Sequence, residues 1–448
     1  MWLSTTKGLA TLSINYFDSV MRMMTLLSPP PSVLSSPQRR CHLLLLLYLP
    51  GQTVTPEILA RLNGVDDTKA LQDIADTGDE IQRYHRLRLI TQQDGSYRIE
   101  GTPLDRRLCL LHWLRRALRL CPHFVQQHFT PALKIQLKQQ GILTALYDEK
   151  NLQALIGLCA RRLQRQFDSR DVQFLTLFLQ YCLHQHHAGI TPEFTEQQRA
   201  WTQIRPEFVA ALEIARHWKR RVLQSANENE QLFLALLFQL LRTPDPIRDN
   251  HEQDLRLRSA IFGMIARFRE LAGMSFSDEQ GLSDQLYIHL AQALDRCQFG
   301  IGIDNSLPEE ITRLYPRLMR TTREAFNDFE NHFEMRFSDE EVGLVAVIFG
   351  AWLMQENDLH EKQVLLLTGN NIELEQSIEQ QLRELTLLPL NIKHLTIHSY
   401  QKEGAPKEVV LVITPYSTTL PLYSPPLIHV TLPLGEHQQQ QIRKIIEC

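Results

Sequence analysis

A segment of this chain recurs 111 residues downstream, and that duplication limits the folds open to it more than any other feature. Ala154 to Ile190, ending in Gly189-Ile190, parallels Ile265 to Ile301, ending in Gly300-Ile301. The same offset carries Glu230 onto Glu341 and Leu237 onto Ile348. One offset that aligns two separated stretches implies two copies of one structural unit. Leu282, Leu286, His289 and Ala293 recur at helical spacing, so the unit is helical and His289 lies on an apolar stripe. The first copy has Phe178 at the position of His289.

Two helices of the second copy carry start signals. Ser277 with Gln280, and Ser338 with Glu341, each fit the capping box, and Phe337 with Val342 fits a hydrophobic staple around the second start. We place the copies at residues 135–245 and 250–358, as tandem helical bundles.

Ahead of them, residues 1–35 end in the proline-serine run SPPPSVLSS and read as a flexible leader, with residues 1–23 upstream of a start the cell does not use. Residues 36–101 read as helix, helix, turn, helix and β-hairpin. Thr55-Pro56 opens the second helix, Asn63-Gly64 makes the turn, and Asp94-Gly95 marks the hairpin. That layout is a winged helix-turn-helix. From Val65 to Glu80, where its recognition helix falls, stand Asp66, Asp67, Asp73, Asp76, Asp79 and Glu80 against Lys69 alone, a balance that opposes entry into a major groove.

Residues 102–134 reverse the sign, with Arg106, Arg107, Arg115, Arg116 and Arg119 beside a leucine stripe. Two readings stand: a solvated helical connector, or a docking surface for nucleic acid or an acidic partner, with Lys69 a further nucleic-acid-binding candidate. After Asn357 the period changes. Short apolar strands at Val364–Leu367, Asn391–Ile397, Val409–Ile413 and Ile428–Thr431 alternate with helices, which predicts a small parallel α/β domain over 361–448. The expected fold class is therefore mainly α with a C-terminal α/β domain.

The second copy also resembles a known family. Leu286 to Arg296 (LYIHLAQALDR), Gly300-Ile301, Ile303 to Leu318 (IDNSLPEEITRLYPRL) and Asp339 to Trp352 (DEEVGLVAVIFGAW) are similar to the PTS regulation domain (PRD). This helical module belongs to bacterial antiterminators and sugar-operon activators controlled by the phosphotransferase system. The resemblance implies that His289 is a phosphorylation candidate, with Arg296 as its phosphate or interface partner. It makes Phe178, Leu237 and Ile348 degenerate acceptor positions. It also implies DNA and phosphotransferase carrier proteins as partners, and homodimers formed through the PRD modules. The C-terminal segment resembles the IIB-type domain of phosphotransferase transporters, whose first loop begins with a nucleophilic cysteine; Thr368 stands at that position.

Composition narrows the classes. Net charge is −4, so any basic surface is local. Seven scattered cysteines without C-x-x-C spacing point to reduced thiols. No run of 18 apolar residues is present. His184, His186 and His187 lack acidic or cysteine partners at ligand spacing, so no metal is expected. Neither a hydrolase triad nor a Walker loop nor a dinucleotide fingerprint occurs. The chain reads as a cytoplasmic, cofactor-free, non-enzymatic transcription regulator of the phosphotransferase-linked type. The alternative is an interaction module that has lost both DNA binding and phosphoryl acceptance.

Overall fold

A computed structural model describes residues 34–49, 51–219, 227–303, 307–356, 362–369, 371–387, 390–419 and 424–447. The expected leader, apart from Leu34 and Ser35, lies outside the described residues. The chain divides into two compact units, residues 1–236 and 237–448. It is mostly helical, with a parallel sheet at its C-terminal end.

The first unit opens with α1 (Ser36–Leu47), α2 (Pro56–Asn63) and α3 (Asp67–His85). Local chemistry sets their ends. Gln38 reaches back to the Ser35 N–H at 2.9 Å, Thr55 accepts from Ile58 N, and Asp66 accepts from Lys69 N at 2.8 Å. Gly64 closes α2 in the left-handed region at φ 64°. The hairpin β1 (Arg88–Thr91) and β2 (Tyr97–Glu100) follows, antiparallel, with Arg88 opposite Glu100.

Two of the six acids counted between Val65 and Glu80 turn inward, so the exposed charge of α3 is smaller than the count. Asp73 and Glu80 are buried. Arg39 of α1 grips Asp73 with two bonds of 2.6 and 3.0 Å. Arg40 of α1 meets Glu80 at 3.1 Å, and Arg116 meets it at 2.7 Å. Arg116 lies on α4 (Pro103–Leu120), so α3 is held between two arginine-bearing helices. Exposed carboxylates remain at Asp66, Asp67 and Asp79.

A one-turn helix, a π turn and α5 (Thr130–Gln139) lead into the first repeat. It comprises α6 (Glu149–Arg162), α7 (Ser169–His187), α8 (Glu196–Gln203), α9 (Phe208–Lys219) and α10 (Glu228–Leu240). The second repeat comprises α11 (Glu252–Ala272), α12 (Glu279–Phe299), α13 (Leu307–Leu314), α14 (Pro316–Phe333) and α15 (Asp339–Glu356). Adding 111 to the bounds of α8 gives 307–314, the bounds of α13. Helix α7 shifted by the same amount becomes 280–298, one residue inside each end of α12. Gly189 and Gly300 follow the paired helices in the same left-handed conformation, at φ 72° and 63°. The cores are aromatic. Phe178 stacks between Phe174 and Phe233 at 5.3 and 6.2 Å in the first repeat, and Phe268 lies flat on Phe349 at 3.9 Å in the second.

The start of α12 differs from the expected Ser277–Gln280 box by one residue. Asp278 is the cap, accepting from Gly281 N at 2.8 Å. Asp caps about as well as Ser, and its negative charge also suits the positive end of the helix.

The C-terminal sheet holds β3 (Lys362–Thr368), β4 (Leu390–Thr396), β5 (Val409–Thr414) and β6 (Leu427–His429) in the order β4-β3-β5-β6, all parallel. Alternation along β3 builds two cores. Val364 and Leu366 pack with Ile378 and Leu382 of α16 (Ile372–Arg383) and with Ile442 and Ile446 of α18 (Glu436–Glu447). Leu365 and Leu367 pack on the other face with Tyr400 of α17 (Ile397–Glu403). Both faces being covered explains why β3 reads as a continuous apolar run.

Candidate functional site

His289 occupies the middle of α12, with Leu286, Leu290 and Ala293 buried beside it. Its side chain keeps 16% exposure, and Nε2 lies 3.2 Å from Oε2 of Glu341. That nitrogen is enclosed and faces the carboxylate without the alignment of a well-formed N–H···O bond. Glu341 sits in the first turn of α15, where Ser338 accepts its backbone N–H at 3.4 Å. Arg296, two turns along α12 from His289, closes on the same carboxylate with Nε at 2.6 Å and Nη2 at 3.0 Å. Burial pushes the Glu341 carboxyl up, but His289 and Arg296 outweigh it and hold the group below the usual carboxylate range. The expected pair, His289 and Arg296, is thus brought together through a third residue. Arg296 is engaged by Glu341 and is not a free anion receptor.

The first repeat solves the same electrostatic problem differently. Glu230, in the first turn of α10, is fully buried. Phe178 replaces the imidazole, and Gln185 stands 111 residues before Arg296. The compensating guanidinium comes instead from Arg107 of α4. Its Nη1 and Nη2 reach Glu230 at 2.7 and 3.0 Å, Nη2 also reaches Ile190 O at 2.8 Å, and the group stacks on Phe233 at 4.9 Å. Leu237 is buried and Ile348 half-buried, so both remaining degenerate positions carry aliphatic packing.

Arg107 is 1% exposed, which removes it from the expected nucleic-acid-binding set. Arg116 is corrected in the same way: its fork serves Glu80 and lies 4.7 Å over Trp113. The physical reason is that α4 is packed on more than its leucine stripe, with Leu110 and Trp113 buried as well. Arg106 is half-buried with its Nε enclosed. Lys69, Arg115 and Arg119 face solvent, with Lys69 3.5 Å from Asp66 and Arg115 3.9 Å from Asp171.

In the C-terminal sheet, Thr368 ends β3 and Gly369 begins the loop. The Gly369 N–H donates to Glu375 Oε1 at 2.6 Å, and Tyr416 OH donates to the same oxygen at 2.8 Å. The Tyr416 ring covers Gly369 so closely that a Cβ there would stand 2.8 Å from it. A carboxylate from α16 therefore already fills the backbone donor that an anion would use. Asn370 of this loop lies outside the described residues.

Sequence patterns did not reveal the Glu375–Tyr416 contact or a second cluster beside the candidate site. There the Tyr287 OH, next but one to His289, lies 2.9 Å from Asp254 and 3.0 Å from Asp249, one proton facing two carboxylates, and Arg242 meets Asp254 at 2.9 Å. Asp254 was legible in principle, since it shares helical spacing with Leu257, Ile261 and Phe268. Elsewhere, His184 Nδ1 meets Gln140 at 2.9 Å, and His186 stacks on Trp218. Among the described residues no group of three His, Cys, Asp or Glu side chains is placed to hold a metal, and no helix is long and apolar enough to cross a membrane.

Comparison with known proteins bears on these features. The chain is 61% identical over 418 residues to the stationary phase-inducible protein CsiE of Escherichia coli (strain K12), covering 93% of this chain and 98% of that protein. The chain belongs to the CsiE family. The profile of the CsiE C-terminal domain matches residues 362–446, and that of the PRD domain matches twice, at 153–241 and 263–352. The two PRD matches end 111 residues apart, the offset of the repeat. This CsiE-family chain is also 25% identical over 234 residues to the transcriptional regulator ManR of Bacillus subtilis (strain 168), 48% of this chain and 36% of that protein.

Proposed function

We propose that this chain is a non-enzymatic regulator in which the second PRD module responds to phosphorylation of His289 by phosphotransferase carrier proteins. Residues 36–101 serve as a winged helix-turn-helix reading DNA, residues 361–448 as a IIB-like domain without the active cysteine, and the PRD modules as the dimer contact. The observation that carries the reading is the contrast between the two matched glutamates: Glu230 is sealed with Arg107, whereas Glu341 is held by a partly exposed imidazole and guanidinium. Transfer breaks the N–P bond of a carrier phosphohistidine and forms one on His289. The product adds about −1.5 to −2 charges beside Glu341. At an effective dielectric of ~20, each unit of like charge at ~4 Å costs about 4 kcal/mol. That is enough to drive the carboxylate away, draw Arg296 to the phosphoryl group and loosen α15 from α12. Because Nε2 is enclosed, acceptance at that nitrogen also requires Glu341 to move first.

The test is incubation with phosphoenolpyruvate and the general carrier proteins. Acid-labile label is expected on wild type, absent from His289→Ala and faster on Glu341→Gln. No label on wild type, under conditions that label an active PRD regulator, refutes the reading. One set of observations favours the alternative of an interaction module: Phe178 at the first acceptor position, and Arg107 and Arg116 tied to internal acids. That module would bind neither carrier phosphate nor DNA.

A further inference from the structure

The last helices of the two repeats differ in how they are covered. From Val342 to Met354, α15 reads VGLVAVIFGAWLM and is apolar on every side. One face, with Val345, Ala346, Phe349 and Leu353, is buried. The opposite face is not: Val347 is 37% exposed, and Leu344, Ile348 and Ala351 are half-buried. Trp352 Nε1 donates to Gln285 at 2.6 Å, and Arg296 grips Glu341 at the other end of the pair. These contacts run α12 and α15 antiparallel and set His289 level with Ile348. Next to His289, Ile288 is 40% exposed. A helix that is apolar all round is normally buried on every side, and this one leaves an apolar groove along α12.

In the first repeat the matched face is closed. Phe233, Leu236 and Leu237 stand where the second repeat has Leu344, Val347 and Ile348, and all three are buried. Leu177 and Phe178, matched to Ile288 and His289, are buried too. Helix α4 lies across this face. Its Arg107 pairs with Glu230 and stacks on Phe233 of α10. Two turns on, Arg115 lies 5.9 Å over the Phe174 ring of α7 and 3.9 Å from Asp171. Between them Leu108, Leu111 and Leu114 are buried. The first repeat thus carries a seated helix, a leucine stripe flanked by arginines, on the surface that the second repeat leaves open.

We propose that the groove between α12 and α15 is a docking site for an amphipathic helix of another protein, a leucine stripe with a basic flank, seated as α4 is seated on the first repeat. The chain's own α4 is tied to Glu230, so the visiting helix comes from a different molecule. Its basic flank suits Asp284, a half-buried carboxylate of α12 one turn before Ile288. Arg296 already gives Glu341 the guanidinium that Arg107 gives Glu230, so the visitor binds chiefly by covering apolar surface. A helix in this groove lies over His289, so docking and the approach of a carrier protein exclude each other. That consequence rests on the phosphorylation proposed above; the docking itself does not. The dimer contact of the modules then falls on other faces.

A fluorescein-labelled synthetic peptide of residues 103–120, the sequence of α4, is the probe, since that helix fits the matched face. Titrating it with the full chain and following fluorescence anisotropy should show saturable binding. Val347→Asp and Ile288→Asp should each weaken that binding by about tenfold or more. Phe262→Asp, at an exposed position of α11 away from the groove, should leave it unchanged. Both groove positions are partly exposed, and circular dichroism checks that each variant folds; if one does not, the other decides. Sedimentation should show the same oligomeric state for wild type and Val347→Asp. The proposal is overturned by absence of saturable binding to wild type, or by equal weakening in Phe262→Asp. Self-association that Val347→Asp abolishes overturns it as well, and would assign the groove to a second copy of this chain.

Discussion

Removing Arg107 should damage the first PRD module far more than removing Arg296 damages the second. Side-chain exposure is 1% for Arg107 and 0% for Glu230, so water cannot replace the guanidinium once it is gone. Arg107→Ala strips the carboxylate of two hydrogen bonds, leaves Ile190 O without that donor and removes the stack on Phe233. Breaking a buried pair from one side costs about 3–5 kcal/mol. For a unit of ~150–250 residues that lowers the melting temperature by roughly 6–20 °C. The double variant Arg107→Met/Glu230→Leu removes the stranded charge and should recover most of the loss. In Arg296→Ala, Glu341 keeps His289 at 3.2 Å and the replaced side chain was 21% exposed, so about 1–2 kcal/mol is expected. Urea unfolding followed by tryptophan fluorescence reads the two first-unit variants through buried Trp113 and Trp218, and Arg296→Ala through Trp352, whose Nε1 donates to Gln285 at 2.6 Å in the second unit. A loss under about 1 kcal/mol for Arg107→Ala, or a double variant as unstable as the single, would refute the buried-pair argument.

Three further outcomes follow from other parts of the molecule. Burial beside His112 holds His85 neutral, with its pKa pushed down to about 3 from 6.5. The unfolded chain therefore binds the extra proton between those values, so stability falls as pH drops from about 6.5 towards 3, and His85→Gln should show a shallower loss in acid melts. Glu375→Ala should destabilise the C-terminal sheet by about 1–3 kcal/mol, because Gly369 N–H and Tyr416 OH lose a common acceptor; hydrogen exchange at Gly369 reads this locally. If the first unit binds DNA, Arg115→Ala with Arg119→Ala should reduce the slope of log affinity against log salt by about 0.9 for each phosphate no longer neutralised. Arg116→Ala should act through stability and leave that slope unchanged, because its fork serves Glu80.

The elements were legible because the signals that define them are local. Thr55-Pro56, Asn63-Gly64 and Asp94-Gly95 each mark a boundary within four residues, and the structure bounds α2 and the hairpin there. The repeat was legible for a related reason: one offset carries Glu230 onto Glu341 and the glycine that follows α7 onto the one that follows α12. The partners of charged groups were not legible. Glu230 and Arg107 are 123 residues apart, and Arg39 and Asp73 are 34 apart. Nothing in the spacing of a basic helix distinguishes an arginine facing solvent from one facing a buried carboxylate, so α4 read as a charged surface when two of its arginines are interior ligands. The acid count of α3 failed for the same reason in mirror image.

Both glutamates sit in the first turn of the last helix of their repeat, where the helix dipole favours a negative charge but burial does not. Each needs a cation, and the source of that cation decides what the module can do. Arg296 belongs to the same bundle as Glu341, so exchanging its partner rearranges that bundle alone. Arg107 belongs to α4, which also supplies Arg116 to α3, so the first repeat and the N-terminal helices share one rigid connection through neighbouring arginines. At the position matched to His289, Phe178 stacks between Phe174 and Phe233 and offers no group that could exchange with Arg107 for Glu230. Transplanting the second repeat's solution tests this division. Phe178→His with Gln185→Arg should restore stability to Arg107→Ala by giving Glu230 an internal partner, and failure to do so would show that the two sites are not interchangeable.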